Sequence, residues 1–290
     1  MSRNQNIYYA IVVILIVSLG LTGCAGNPIK SDKEPMAAAL ECAKETSKSY
    51  LPDGHIYTTL SIADIGGYEK FRQWTLSYYS QYPDIDPDYE ATPVSIKYLL
   101  TPWKWEWRND ITGALHSLHG GGREKIDVRR KNIQDTLGVT LKKPQQDWLS
   151  GLLIHAYADT YSHTKNRFNA ENEQAYNVWI GHAIPTLLGK SPDNIKSETN
   201  EPKYLGYITD LYNTIKTNDN TDEFIKFKHF VDELKCEKGE CPNFFALFHN
   251  KPLTSSGIDV FTDCMNKTSR QLSAKEIKIA IDYIKNGLSR

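Results

Sequence analysis

The 290-residue sequence has no apolar run long enough to cross a bilayer as a helix. The run Ile7–Leu21 (IYYAIVVILIVSLGL) covers 15 residues, where about 20 are needed to span the hydrocarbon core. Charge of one sign is not in excess: 34 Lys and Arg face 35 Asp and Glu. That balance gives no global field for polyanions and no specific nucleic-acid signal. The sequence has no C-x-x-C pair, which argues against a zinc site built from cysteines. It has no G-x-S-x-G, so nothing suggests a serine nucleophile elbow. Strand signals are sparse and no 20–50-residue repeat is evident, which disfavours sandwiches, propellers and solenoids. No segment points to a protein partner.

What remains is a mainly helical chain with a distinctive start. Residues Met1–Asn6 are polar and carry Arg3, the apolar run follows, and small residues close it. That order predicts a signal peptide over residues 1–23. The closing phrase Leu21-Thr22-Gly23-Cys24 resembles the lipobox of bacterial lipoproteins. The resemblance implies cleavage before Cys24, lipidation of its thiol, and membrane attachment through that anchor. With Ala25 rather than Asp next, it also implies the periplasmic side of the outer membrane in a Gram-negative host. Residues 24–35 are polar and contain Pro and Lys, and read as a tether. Four further cysteines, Cys42, Cys236, Cys241 and Cys264, favour disulfides in an oxidising compartment. Cys236 and Cys241 flank a turn-like stretch, which favours a local bridge there and a Cys42–Cys264 bridge tying the start of the domain to its end.

Helical periodicity begins at Met36 and resumes over Ile56–Tyr79, broken at Gly66-Gly67. Pro83, Pro87 and Pro93 predict a loop over Tyr82–Pro93. Trp103, Trp105 and Trp107 alternate with charged residues, as in a short strand or an aromatic loop over a cleft. Arg123–Leu137, Asp147–Phe168, Ala170–Leu188, Tyr204–Lys216, Asp222–Leu234 and Ser273–Leu288 predict helices. The expected organisation is a helical domain over residues 36–200 with a C-terminal helical extension, 201–290, packed on it. The basic residues Arg123, Lys125, Arg129, Arg130 and Lys131 read most simply as a solvated helix face, or else as an attractor of phosphate.

The chemistry concentrates in Gly151–Phe168 (GLLIHAYADTYSHTKNRF). His155, Asp159 and His163 are spaced four and four, and each step of four turns a helix by about 40°, so all three share one stripe. Imidazole and carboxylate together suit a borderline divalent ion. Six of the 8 histidines fall between His55 and His182. His229, in a charged helix, and His249, in a loop, read as ordinary surface residues.

Four phrases carry a family resemblance: D-G-H-I-Y-T-T-L with a following Gly-Gly (53–67), S-Q-Y-P-D (80–84), I-H-A-Y-A-D-T-Y-S-H (154–163), and G-H-A followed by P-D (181–183, 192–193). In this order they resemble the zinc-dependent phospholipase C and single-strand nuclease superfamily, and more closely an uncharacterised bacterial branch of it. The resemblance implies an all-α multi-helix bundle with up to three zinc ions at its mouth, two expected and a third uncertain. It implies His155 as the central histidine, Asp159 as a carboxylate bridging two ions, Asp84 and His116 (or, less well, His119) as further ligands, His163 and His182 as the histidine pair of a second ion, and His55 as a ligand of a third. Asp193 stands in for a family glutamate whose position is Thr186 here. Asp84 and Asp159 are the carboxylates expected in catalysis. The implied activity is phosphoester hydrolysis, phospholipase C-like, with a nuclease or a non-catalytic metal-binding lipoprotein as alternatives. In the family the free N-terminal amine is a metal ligand, a role an acylated Cys24 could not fill.

Overall fold

The computed structural model describes residues 33–45, 54–98, 100–177, 195–196, 198–235, 248 and 257–288. The signal peptide, Cys24, Cys236, Cys241, His182, Asp193 and His249 lie outside the described residues. Residues Ser31–Arg290 form one compact unit, and the described part of it is mostly helical. The helices are α1 (Pro35–Glu45), α2 (Gly54–Ile65), α3 (Lys70–Ile85), α4 (Ala91–Lys97), α5 (Trp105–Asp110), α6 (Arg123–Thr140), α7 (Asp147–Ser162), α8 (Glu201–Ile215), α9 (Thr221–Glu233), α10 (Gly257–Thr268) and α11 (Ala274–Asn286). A single π-helical turn, Ile111–Leu115, follows α5. The one two-stranded sheet among the described residues pairs β1 (Thr164–Lys165) antiparallel with β2 (Gln174–Ala175). No described helix is long and apolar enough to cross a membrane.

α7 is the central rod. Leu149, Leu152, Leu153, Ile154, Ala156 and Tyr157 are all buried, so the helix buries apolar side chains around its circumference rather than along one stripe. Its main partner is α3, and α6 and α8 pack against it as well. The contact between α7 and α3 is close because Gly151 has no side chain. A Cβ there would stand 2.4 Å from Tyr79 Cβ and 2.9 Å from the Leu76 carbonyl oxygen. Gly151→Ala is therefore expected to destabilise the fold by about 1–3 kcal/mol through forced separation of the two helices. Urea denaturation would show it as a lower midpoint at unchanged slope. A bidentate ion pair fixes the start of the same rod: Arg72 Nε and Nη2 donate to Asp147 at 2.7 and 2.6 Å, and Nη2 also reaches the Leu141 carbonyl.

Three local expectations are corrected. α3 does not stop before Pro83 but runs through it to Ile85. The whole stretch Gln73–Pro83 is buried, and that packing outweighs the one backbone hydrogen bond that proline forfeits. The tryptophan segment is neither strand nor loop: Pro102–Lys104 is a 3₁₀ turn running into α5. Trp103 is 78% exposed, so it is not core packing. α7 ends at Ser162, short of Phe168, and the start of the helix expected over Ala170–Leu188 is instead the strand β2, the rest of that span from 178 on lying outside the described residues. Here a fully buried carboxylate takes over from helical periodicity. Glu173 accepts from Thr164 Oγ1 at 3.1 Å, from the Asn169 backbone N–H at 2.9 Å, and from Arg123 and Arg130, both at 3.3 Å. These bonds hold the chain in a hairpin that a continued helix could not form.

The basic residues of α6 are likewise not a uniform solvated face. Arg129 and Arg130 are buried, at 9% and 6% exposure. Arg130 is spent on Glu173, and Lys131 on Asp135. His229, by contrast, is an exposed residue of α9.

Candidate metal centre

Four elements deliver the polar side chains to one place. His55 stands at the start of α2, Asp84 in the last turn of α3, His116 just after the π-helical turn, and His155 and Asp159 one turn apart on α7. The unusual turn at Ile111–Leu115 is followed by Ser117 with φ 51°, a left-handed conformation that is strained for a residue other than glycine. The Ser117 hydroxyl donates to the Ala156 carbonyl on α7 at 2.9 Å, which ties this kinked segment to the rod. His116 on one side of it faces the cluster, and His119 on the other does not.

Hydrogen bonds decide which imidazole nitrogens face inward. A carbonyl can only accept, so His155 Nδ1 donates to Ser80 O at 2.9 Å, leaving the Nε2 lone pair for the cluster. His116 Nε2 donates to Tyr89 O at 2.9 Å, leaving its Nδ1 lone pair. These two lone pairs meet at 3.3 Å. Asp159 Oδ2 lies 3.4 Å from the first and 3.6 Å from the second. Asp84 Oδ1 lies 3.8 and 3.6 Å from the same two nitrogens. No described group donates a hydrogen bond to the buried Asp159 Oδ2.

Such a set of converging lone pairs is electrostatically unfavourable unless a cation or a proton stands among them. Backbone carbonyls orienting imidazoles in this way are the usual outer support of metal-ligating histidines. Adjacent ligands on a four- to six-coordinate ion with bonds near 2.1 Å stand about 3.0–3.4 Å apart, so the observed spacings need to contract by only tenths of an ångström. The residues therefore fit a divalent ion.

A second group adjoins the first. His55 Nε2 lies 3.6 Å from Asp159 Oδ1 and 3.7 Å from Asp84 Oδ2. Each carboxylate thus shows one oxygen to His55 and the other to the His116–His155 pair. Two sets of three donors, His55 with His155 and Asp159, and Asp84 with His116 and His155, lie mutually within 4.8 Å. The floor of the site is closed, with His116, His155 and Asp159 buried. The Asp84 side chain is 34% exposed and marks the mouth. Gln81 Nε2 donates to Asp84 Oδ2 at 3.0 Å and steadies it there.

Of the expected ligands, the described residues bring His55, Asp84, His116, His155 and Asp159 together. His55, expected at a third ion, stands beside both aspartates. His163, expected to pair with His182 at a second ion, follows the end of α7, donates from Nδ1 to the His116 carbonyl at 2.6 Å and stands 3.5 Å from Asp159 Oδ2; His182 lies outside the described residues. Of the pair His116 and His119, it is His116 that enters the cluster. His119 is held by the Gly120 carbonyl and lines a separate cavity. Sequence reasoning missed the carbonyls of Ser80 and Tyr89, because any residue type supplies a carbonyl.

The charges are strongly coupled. Burial opposes ionisation of Asp159, but the imidazoles of His163, His155, His116 and His55 hold its pKa well below the ordinary carboxylate value. Burial lowers the pKa of His155 to about 4 against the pull of Asp84 and Asp159. Burial also works downward on His116, yet the Asp159 and Asp84 carboxylates outweigh it and raise that pKa. A metal-free chain therefore keeps a proton on His116 at and below the ordinary histidine value near 6.5, while His155 is neutral there. An arriving ion must expel that proton. Zinc titration in weak buffer near pH 6 is expected to release about one proton per first ion, with apparent affinity falling about tenfold per pH unit on further acidification. Zinc binding without proton release would contradict this charge assignment.

No protein-family model matches the chain, and no match to it is found among the curated proteins or the solved structures.

Proposed function

We propose that this chain is a zinc-dependent phosphoester hydrolase of the phospholipase C kind, anchored to a membrane by lipid on Cys24. The observation that carries the metal reading is the convergence of His116 Nδ1, His155 Nε2 and Asp159 Oδ2, three inward-facing acceptors 3.3–3.6 Å apart. His116, His155, Asp84 and Asp159 would hold one ion, and His55 with the other oxygens of the two aspartates a second. Ions bound there would supply Lewis-acid stabilisation of phosphoryl charge and acidify water at neutral pH. Asp159, enclosed by imidazoles, keeps its negative charge and positions the cluster. Asp84 is the carboxylate open to solvent, oriented by Gln81, and so the one able to take a proton from an attacking water. No serine or cysteine nucleophile is needed.

Export has support in the Cys42–Cys264 disulfide, since such bridges persist in oxidising compartments. Phospholipid is favoured over nucleic acid as substrate because the near-neutral chain lacks the basic surplus that polyanion binding needs. The deciding experiment measures metal content of the mature protein and its hydrolysis of a phosphodiester dye and of phospholipid vesicles. The expected result is two zinc ions per chain, with activity lost on chelation and restored by zinc. Metal bound without hydrolysis of any substrate would instead make the protein a non-catalytic metal-binding lipoprotein. Absence of bound metal, with the fold unchanged by chelator, would sink both readings.

A further inference from the structure

A second polar site lies apart from the metal cluster, with no donor residue in common. It is a cavity of about 560 Å³ whose lining includes Glu106, Asp110, Gly113, His119, Arg129 and Lys285. Its charged groups are not alike. Asp110 is engaged by Lys278 at 2.6 Å and Lys285 at 2.7 Å. Glu106 is exposed, at the rim. Arg129 is 91% buried, given its 9% exposure. Among the described residues it has one hydrogen bond, from Nη1 to the Gly113 carbonyl at 3.1 Å, and no described carboxylate lies within ion-pairing distance. A guanidinium carries five N–H donors and cannot shed its charge at physiological pH. With one carbonyl partner among the described residues, the guanidinium has donors left to face the cavity, and a largely buried cation without a counter-charge is rarely kept.

The surroundings add to the positive field. Lys125 Nζ bonds the His119 carbonyl at 3.1 Å, and His119 Nε2 is buried without a partner. Burial first, then the charges of Arg129, Lys125 and Arg130, press the His119 pKa down to about 4. The ring therefore stays neutral at physiological pH, and the corner's net positive charge rests on Arg129. A planar fork lining an open pocket, with donors that no described residue takes up, matches an oxyanion that accepts two parallel bonds.

We propose that the Arg129 cavity binds a phosphate oxyanion, either free phosphate or the head of a small phosphomonoester, with the guanidinium as its principal anchor. A dianionic phosphate answers this corner better than a carboxylate because it brings more charge to an uncompensated cation. The cavity is far larger than one phosphate ion, so an ester with a polar body also has room beside Gly113 and Glu106. The proposal does not depend on the metal reading.

Calorimetric titration of the mature protein, with chelator present to silence the metal cluster, would use inorganic phosphate, glycerol phosphate and succinate as probes. Saturable binding of phosphate or glycerol phosphate is expected. Equal affinities would identify free phosphate as the occupant, and tighter glycerol phosphate would identify an ester. Arg129→Lys keeps the charge and loses the fork, and should weaken binding by about tenfold; Arg129→Met should abolish it. Undiminished binding in Arg129→Met, or succinate binding as well as phosphate, would overturn the proposal. Because Arg129→Met also loses the bond to Gly113, crystals of the unaltered protein soaked in tungstate provide a check independent of folding. An anomalous peak beside the Arg129 guanidinium is expected. A peak only at the metal cluster would refute this cavity as an anion site while leaving the hydrolase reading intact.

Discussion

Asp159→Asn is expected to lower zinc affinity and phosphodiester hydrolysis together, each by more than about 100-fold. Loss of an outer-shell partner alone costs a metal site about 10–100-fold, and Asp159 is a buried ligand candidate with an oxygen toward each donor group. A hundredfold loss corresponds to about 2.7 kcal/mol. The substitution is nearly isosteric, so packing around α7 is kept. Its amide can also donate an N–H to the imidazole nitrogens of the cluster. The variant should therefore fold in the absence of metal, with an unchanged circular dichroism spectrum. Zinc retained through dialysis and the specificity constant for a phosphodiester dye are the two readouts. Loss of both with folding intact supports a metal-dependent enzyme. Activity retained in this variant would mean that hydrolysis occurs elsewhere, or in a contaminant.

The legible part of the site was the part governed by helical spacing. His155 and Asp159 are four apart, both face one cluster, and α7 is helical across them. His163 obeys the same spacing, yet it lies past the helix end. What stops the helix is Glu173, a residue ten positions later whose burial and four donors become visible only once β1 and β2 are paired. Asp84 sat in a phrase that pointed to it, but its setting was misjudged. Pro83 reads as a breaker in isolation, whereas the buried face of α3 carries the helix through it. Spacing alone could not choose between His116 and His119. A π-helical turn and the left-handed Ser117 turn their side chains to different places, and neither irregularity has a strong residue signature. Arg129 illustrates the same boundary. A basic run looks alike whether solvated or buried, and the difference lies in what α6 packs against.

The largest stability effect is expected at the disulfide. Cys42 on α1 and Cys264 on α10 form a disulfide across 222 residues of sequence. α1 packs against both α3 and α10, so this bond closes a loop holding all the elements that carry the metal-site residues. Closing a loop this long restricts the unfolded chain by an amount equivalent to about 5 kcal/mol in the chain-entropy model, with observed gains usually about 2–4 kcal/mol. Cys42→Ala/Cys264→Ala should thus lower the melting temperature by about 5–15 °C for a domain of this size. The double variant isolates this bridge from Cys236 and Cys241, which a reducing agent would also affect. The native fold leaves α1 packed on α3 without the bond, so the metal cluster should survive at moderate temperature with unchanged zinc stoichiometry. A melting temperature equal to that of the parent would show that the unfolded chain gains nothing from release. Loss of zinc below the melting transition would show instead that the bridge supports the geometry of the site directly.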